Sequence, residues 1–272
     1  MTREKPRILL SFDTEEFDLP GEYGEMPPLD VQLEVGARGL EAVLDLLDRL
    51  GPEARATFFT TAVFAQNRPA LIARLLERHE LASHGWSHTT FERGDAARSK
   101  AELERLSGRP VLGFRRARFG PFDRAELREA GYRYDSSLNP IWLPGRYNNL
   151  GKPRTVHRLP EGPVEIPVSA SPCLRFPLFW LAFKHAPLPL FRAATRSALA
   201  ADGHVNLFFH PWEFTSLEGF RLPGIVTRRA GEGMGDRLEA YLHWLRQQED
   251  AAFETLGEFS ARWDAAHPPA PR

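Results

Sequence analysis

Apolar and polar positions divide the chain into short apolar runs and longer amphipathic stretches. Residues 7–12 (RILLSF) form an apolar run that ends in acids, the pattern of a buried strand delivering Asp13 at its C-terminal end. Residues 18–28 hold Gly, Pro and acids and read as a loop. Apolar residues at Val35, Leu40, Val43, Leu44, Leu47 and Leu50 predict an amphipathic helix over 31–50, stopped by Gly51-Pro52. Residues 56–61 (ATFFTT) are rich in strand formers, and a second helix follows over 70–78 with Pro69 near its first turn. Residues 81–83 and 111–114 read as strands. Residues 123–130 read as a helix with Asp123 as N-cap and Gly131 closing it. Residues 164–168 and His204–Phe209 continue the strands, and helices over 235–246 and 256–263 finish the chain. Strands alternating with helices imply a parallel sheet with helices outside it. The count suits an eight-fold or slightly depleted barrel in a single α/β domain.

Composition narrows the class. The 272 residues are 42% hydrophobic and 26% charged, ordinary for a folded, water-soluble protein. Lys and Arg total 35 against 36 Asp and Glu, a net charge of −1, which excludes a strongly basic nucleic-acid binder. The single Cys173 forbids an intrachain disulfide framework and any multi-cysteine metal site, whereas nine His leave a His/carboxylate site open. The opening Met1-Thr-Arg-Glu-Lys-Pro has neither the apolar core nor the small-residue cleavage site of a signal peptide. Absence of any apolar run of about 18 residues argues against a membrane span, so a cytoplasmic protein is expected. The nearest approach to such a run is 172–191. Its prolines and its Arg175, Lys184 and His185 interrupt it. One expectation is a lid or helix packed on the barrel; the other is an apolar patch touching a membrane surface or a lipid-linked sugar.

In α/β barrels function collects where strands end. The polar residues that follow strand-like runs are Asp13, Glu15 and Glu16, then His84 and His88, Arg115, Asp135 and His210. His84-Gly-Trp-Ser-His88 has i, i+4 spacing, which on a helix places two imidazoles on one face where they can bind one cation. The same spacing arises where one His caps and the other packs. Two neutral His with one carboxylate form a common ligand set for a catalytic Zn²⁺ that keeps a position open for water. Asp13-Thr-Glu15-Glu16 can supply both that carboxylate and a base, since i and i+2 point the same way on an extended segment. A glycosidase pair is a rival reading, but its carboxyls stand about 5 Å or more apart and come from different strands. Trp212, Trp142 and Tyr147 are candidates to stack on a sugar ring or to pack as core.

Together these pieces resemble the polysaccharide deacetylase family, the NodB-homology carbohydrate esterases. The resemblance runs from about residue 7 to 210, with a weaker continuation to Phe259. It is carried by Ser11-Phe-Asp-Thr-Glu-Glu-Phe17, Ala56-Thr-Phe-Phe59, Glu80-Leu-Ala-Ser-His-Gly-Trp-Ser-His88, Gly113-Phe-Arg-Arg-Ala-Arg-Phe119, Gly131-Tyr-Arg-Tyr-Asp-Ser-Ser137 and Phe208-Phe-His-Pro-Trp-Glu213. The fold it implies is a distorted parallel (β/α) barrel of about seven strands, with the core over 7–214 and the helices of 235–263 packed on it. The roles it implies are Asp13 as general base, Glu15, His84 and His88 as metal ligands, Arg115 orienting Asp13, and His210 as general acid. Asp135 would stand behind them, paired with His210 or Arg115. The first motif has Glu15 or Glu16 where the family usually has Asp, and Glu15 has the matching spacing. The third has Arg116-Ala117 where a small residue and Pro usually follow the arginine.

The expected function is a metal-dependent deacetylase, a hydrolase of linear amide bonds that removes an N-acyl group, N-acetyl above all, from an amino sugar in a glycan or glycan precursor. Zinc suits the ligand set; cobalt, nickel, manganese and iron are alternatives. No further cofactor is expected. Partners are the N-acylated sugar, with a lipid-linked form among the possibilities, and no nucleic acid; peripheral membrane contact would run through 172–191. Hydrolysis of a cyclic amide or ureide, or a catalytically silent carbohydrate-binding relative, are the rival functions. The sequence does not set the oligomeric state.

Overall fold

The computed structural model describes residues 5–268; the first four residues of the opening segment and the last four of the chain lie outside it. Strand β1 (Arg7–Thr14) is buried on both faces and sits centrally, flanked in parallel by β2 (Thr57–Thr60) and by the later His204–Phe209 strand. The sheet continues through β3 (Glu80–Ser83), β4 (Gly113–Phe114) and β5 (Tyr134–Asp135), all parallel. A separate hairpin, β6 (Trp142–Leu143) with β7 (Tyr147–Asn148), stands off it. Strand β8 (His157–Arg158) runs antiparallel to β9 (Val164–Glu165), which pairs with β5. With β10 (His204–Phe209) the order is β10-β1-β2-β3-β4-β5-β9-β8, and the short β11 (Ala252–Phe253) also pairs with β1.

The sheet curls toward closure. Beyond β9 the chain leaves the ladder, and Ser169 N donates to Asn206 O of β10 at 2.9 Å. This is the distorted parallel (β/α) barrel expected, with corrections: the strands read over 164–168 and 111–114 keep ladder pairing only at Val164–Glu165 and Gly113–Phe114, and the helix read over 123–130 spans Ala125–Glu129 with Arg124, not Asp123, at its cap.

Helices α1 (Leu29–Arg49), α2 (Ala62–Asn67), α3 (Pro69–Leu75), α4 (Asp95–Ser107) and α5 (Ala125–Glu129) follow the first strands in turn. Then come α6 (Trp180–His185), α7 (Leu188–Asp202), α8 (Gly224–Thr227), α9 (Glu232–Gln248) and α10 (Leu256–Ala266). The pattern did not announce α4 or α7. Helix α4 buries small or polar residues at Ala96 and Ser99 besides Leu103, and α7 begins inside the proline-rich stretch, with Pro189 in its first turn where a missing N–H costs nothing.

Parity along β1 sets the layers. Ile8, Leu10 and Phe12 pack outward into a large cluster with α1, α7 and α9, while Leu9 joins Phe59, Tyr134, Leu256 and Phe259 in a second cluster. Ser11 and Asp13 share the parity of Leu9, so the strand that builds the core also aims Asp13 at the interior. Two glycines one turn apart let α1 approach. A Cβ at Gly36 would meet Glu15 O at 2.7 Å, and one at Gly39 would meet Pro211 O at 2.1 Å.

Within the apolar stretch 172–191, Leu178, Phe179, Phe183, Lys184 and Phe191 are buried, whereas Leu174 is 88% and Leu190 50% exposed. Among the described residues, no helix is long and apolar enough to cross a membrane.

Candidate active site

Asp13 ends β1 and is held by Arg115, which follows β4. Arg115 Nη1 donates to Asp13 Oδ1 at 2.7 Å and to Ser11 Oγ at 3.0 Å. Its Nε and Nη2 donate to Ser136 O and Oγ at 3.0 and 2.9 Å, and the guanidinium lies 4.1 Å over the Phe59 ring. Each nitrogen of this fully buried cation has a partner, so Asp13 is fixed rather than merely close.

Glu15, two residues on, meets the two imidazoles. Its Oε2 lies 3.2 Å from His84 Nε2 and 3.1 Å from His88 Nε2, while Oε1 accepts from Trp212 Nε1 at 3.2 Å. Each ring is anchored from behind through Nδ1: His84 to Arg115 O at 2.9 Å, His88 to Asp18 Oδ1 at 2.7 Å. Asp18 in turn accepts from Thr89 Oγ1 at 2.9 Å and Arg118 Nη2 at 2.8 Å. Anchoring at Nδ1 turns both Nε2 atoms toward the carboxylate, an arrangement typical of metal-binding histidines. Ligand atoms of Glu15, His84 and His88 all lie within 4.8 Å of one another. Glu15 Oε2 and His84 Nε2 are buried and have no hydrogen-bond partner among the described residues. An orphaned imidazole nitrogen and an orphaned carboxylate oxygen, with His88 Nε2 beside them, are what a divalent cation would satisfy, so these residues fit the metal expected from the sequence.

The geometric route to that pair differs from the expected one. His84 and His88 do not lie on a helix; they flank a loop after β3 in which Gly85 takes a φ of +91°. The rings nevertheless end nearly parallel, with centroids 5.8 Å apart. Of the two glutamates, Glu15 faces the imidazoles, whereas Glu16 Oε2 accepts from Thr61 Oγ1, the cap of α2.

His210 follows β10 and opens a 3-10 turn, Pro211–Phe214. Glu213 Oε1 accepts from both His210 N and Nδ1, at 2.9 and 3.1 Å. Glu213 Oε2 pairs at 3.2 Å with Lys184 Nζ, which also donates to Val226 O at 2.8 Å. The His210 ring stacks on Trp212 at 4.8 Å.

Asp135 corrects the sequence reading: neither His210 nor Arg115 is its partner. Strand alternation explains why. Ser136 takes the inward position and meets Arg115, so Asp135 turns away to Arg124 Nε at 3.1 Å and to Ser137 Oγ. Its ladder neighbour Glu165 receives Arg124 Nη2 at 3.4 Å and Leu138 N at 3.1 Å. Two fully buried carboxyls thus share one arginine, away from the cavity that Asp13 lines.

Electrostatics separate the two groups. Burial alone would raise Glu15, but positive charge on His88 and His210 and the contact with His84 outweigh it and bring its pKa down to about 2. Burial likewise opposes charging His88, yet Glu15 and Asp18 lift it to about 9. His210 is raised by Glu15 and Glu213 against its burial. Glu165 goes the other way: burial and the neighbouring Asp135 push it well above the ordinary carboxylate range.

Asp13, Glu15, His84, His88 and His210 open into one cavity of about 460 Å³, which Trp212 and Tyr147 also line. Trp142 is 61% exposed and does not line it. Asp18 and Glu213 were not singled out by the sequence reading, and Lys184 appeared there only as an interruption of the apolar run 172–191. The His-x-x-Glu spacing of a capping box could have flagged Glu213, and a lone Lys within an apolar run could have flagged a buried counter-ion.

The polysaccharide deacetylase family profile matches residues 2–109, which carry the Asp13–Glu16 and His84–His88 motifs. Over that segment, less than half of the 272 residues, the chain is similar to the polysaccharide deacetylases. Its fold is similar over its whole length to that of a protein assigned as a polysaccharide deacetylase in Mycobacterium smegmatis, at 18% identity, TM-score 0.71 and 97% coverage of that chain. Puue allantoinase (18% identity, TM-score 0.64) and a protein of Pseudomonas aeruginosa PAO1 assigned as a polysaccharide deacetylase (17%, 0.62) each align over 97% of this chain and 92% of their own. No curated protein matches the sequence.

Proposed function

We propose that this protein is a metal-dependent hydrolase that removes an N-acyl group, N-acetyl in the first instance, from an amino sugar. One observation carries the reading: a convergent Glu15, His84, His88 set lies beside an arginine-held Asp13, in the cavity that also holds His210. Held by those three side chains, a divalent ion would polarise the acyl carbonyl and bring the pKa of a bound water to about 7. Asp13 accepts the proton of the attacking water as oxygen bonds to the acyl carbon. His210 gives its proton to the nitrogen as the C–N bond breaks, so a carboxylate and a protonated amine leave. Glu213 holds that imidazole through Nδ1 and favours its charged form. The likeness to Puue allantoinase supports a second reading, hydrolysis of a cyclic amide or ureide.

The test combines metal analysis of the purified protein with acetate release from N-acetylated glycans and nucleotide sugars, and with ring opening of cyclic amides. Chelation should abolish acetate release and a divalent metal restore it. Turnover of cyclic amides alone would select the second reading, and a metal-loaded protein inert throughout would refute both.

A further inference from the structure

The walls of the catalytic cavity carry information that its floor does not. Above the charged cluster the lining is Phe119, Phe179, Trp180, Leu181, Phe208 and Ile225. Phe179 stacks on Phe208 at 5.5 Å and Phe119 packs against the same ring at 5.2 Å, so the three form one continuous surface. The polar side chains nearby are already engaged. Arg118 is paired with Asp18 and Glu22, Arg146 with Glu22, Trp212 Nε1 with Glu15, and the Tyr147 hydroxyl accepts from Asn139. A sugar ring buried here would leave several hydroxyls facing carbon, which is costly; an alkyl or aryl group would not.

Two further features support a built apolar surface. Arg118 and Phe119 are consecutive non-glycine residues in the left-handed region, with φ of 58° and 52°. This conformation sets the Phe119 ring into the wall and the Arg118 head on Asp18, in the loop where the third motif departs from the family pattern. The mouth also offers apolar surface beside the ion-paired Arg118, Glu22 and Arg146: Ile225 is 52% exposed and Tyr23, also lining the cavity, 46%. An apolar group long enough to leave the cavity would therefore still find carbon at the rim.

We infer that the substrate is amphiphilic: an N-acylated amine on a polar head that reaches the cluster, joined to an alkyl or aryl group of several carbons that lies along the Phe119–Phe208–Leu181 wall. The inference rests on the N-deacylase reading for the chemistry of the head, and adds the body attached to it. A volume of about 460 Å³ is in the range that encloses most of a ligand larger than an acetamido group alone.

The test is a chain-length series of alkyl 2-acetamido-2-deoxyglucosides, methyl to octyl, kept below their micellar concentrations. Acetate release and quenching of tryptophan fluorescence, to which Trp180 and Trp212 contribute, are measured on the same samples of metal-loaded enzyme. Affinity and kcat/KM should rise about fourfold for each methylene that is buried and level off once the chain passes the rim. Ile225→Asp, at an exposed position that folding should tolerate, should flatten the series near its long end, and Leu181→Asp throughout. Leu190→Asp, on the exposed side of α7, should leave it unchanged. Acetate release with no dependence on chain length would overturn the inference and leave the deacylase reading intact. Affinity that climbs with chain length while no acetate appears would overturn the deacylase reading and keep the inference. Neither binding nor release would overturn both.

Discussion

Two buried carboxylate groups stand at strand ends of the same sheet, and they are built on opposite principles. Asp13 and Glu15 at β1 face an arginine and three imidazoles, and Glu15 stays ionised to about pH 2. Asp135 and Glu165, on β5 and β9, share only the half-buried Arg124, and Glu165 holds its proton far above the ordinary range. Burial alone does not make a carboxylate a base. What distinguishes the first group is surplus positive charge arranged around a cavity; the second has a deficit and no opening, and its proton is a structural part.

The sharpest way to break this contrast is to neutralise one acid on each side. Asp13→Asn should lower kcat/KM by about 10²- to 10⁴-fold, the range of a lost general base, whereas Asp135→Asn should change it less than about tenfold. Equal losses in the two variants, measured with the same substrate, would abolish the distinction. Next in size, Glu15→Gln should weaken metal binding by about 100-fold or more in competition titration, with Asp18→Asn, which loosens His88, losing about tenfold to 100-fold.

A smaller effect is expected at Glu213→Gln. It keeps the fold of the turn but removes the charge that favours protonated His210, so kcat should fall about tenfold and the alkaline limb of its pH profile should move to lower pH. An unchanged profile would mean that Glu213 only shapes the turn.

The smallest effect separates the two groups by pH. A carboxyl whose folded pKa is raised contributes stability below its unfolded value near 4.5 and loses it as pH climbs toward the folded value. Glu165→Gln should therefore alter stability by less than about 1 kcal/mol near pH 5 and flatten the decline of the denaturant midpoint at higher pH. Glu15 in the metal-free protein gives the opposite slope: its contribution is complete above pH 4.5 and is lost as pH falls toward 2. Parallel midpoint curves for wild type and Glu165→Gln would show that no proton is held there.

How much of this was legible in the chain differs between the same two regions. Around β1 to β3 the strands are long enough for parity to be read from sequence, and Asp13, Glu15, His84 and His88 could be brought together from motif spacing alone. Their mutual geometry could not, because the imidazoles converge through a glycine-bent loop rather than along a helix face. From β4 to β9 the strands are only two residues long, and two residues carry too little alternation to show which way Asp135 points. Glu213 and Lys184 were hidden for another reason: they meet across about thirty residues, and only tertiary packing reveals the pair. Helix α7 escaped notice because its prolines look like interruptions until one of them is seen in its first turn.

The glycines of α1 lie outside the reaction centre yet hold its gauge. Through Gly36 the helix rests on the carbonyl of the residue that follows the base by two, and through Gly39 on the carbonyl next to the proton donor. A methyl group at either place would tilt the helix like a wedge under one leg of a tripod, changing the span between donor and acceptor without touching a reactive atom. Libraries that spare every polar side chain and vary only these two positions should thus yield enzymes graded in speed rather than simply dead or alive.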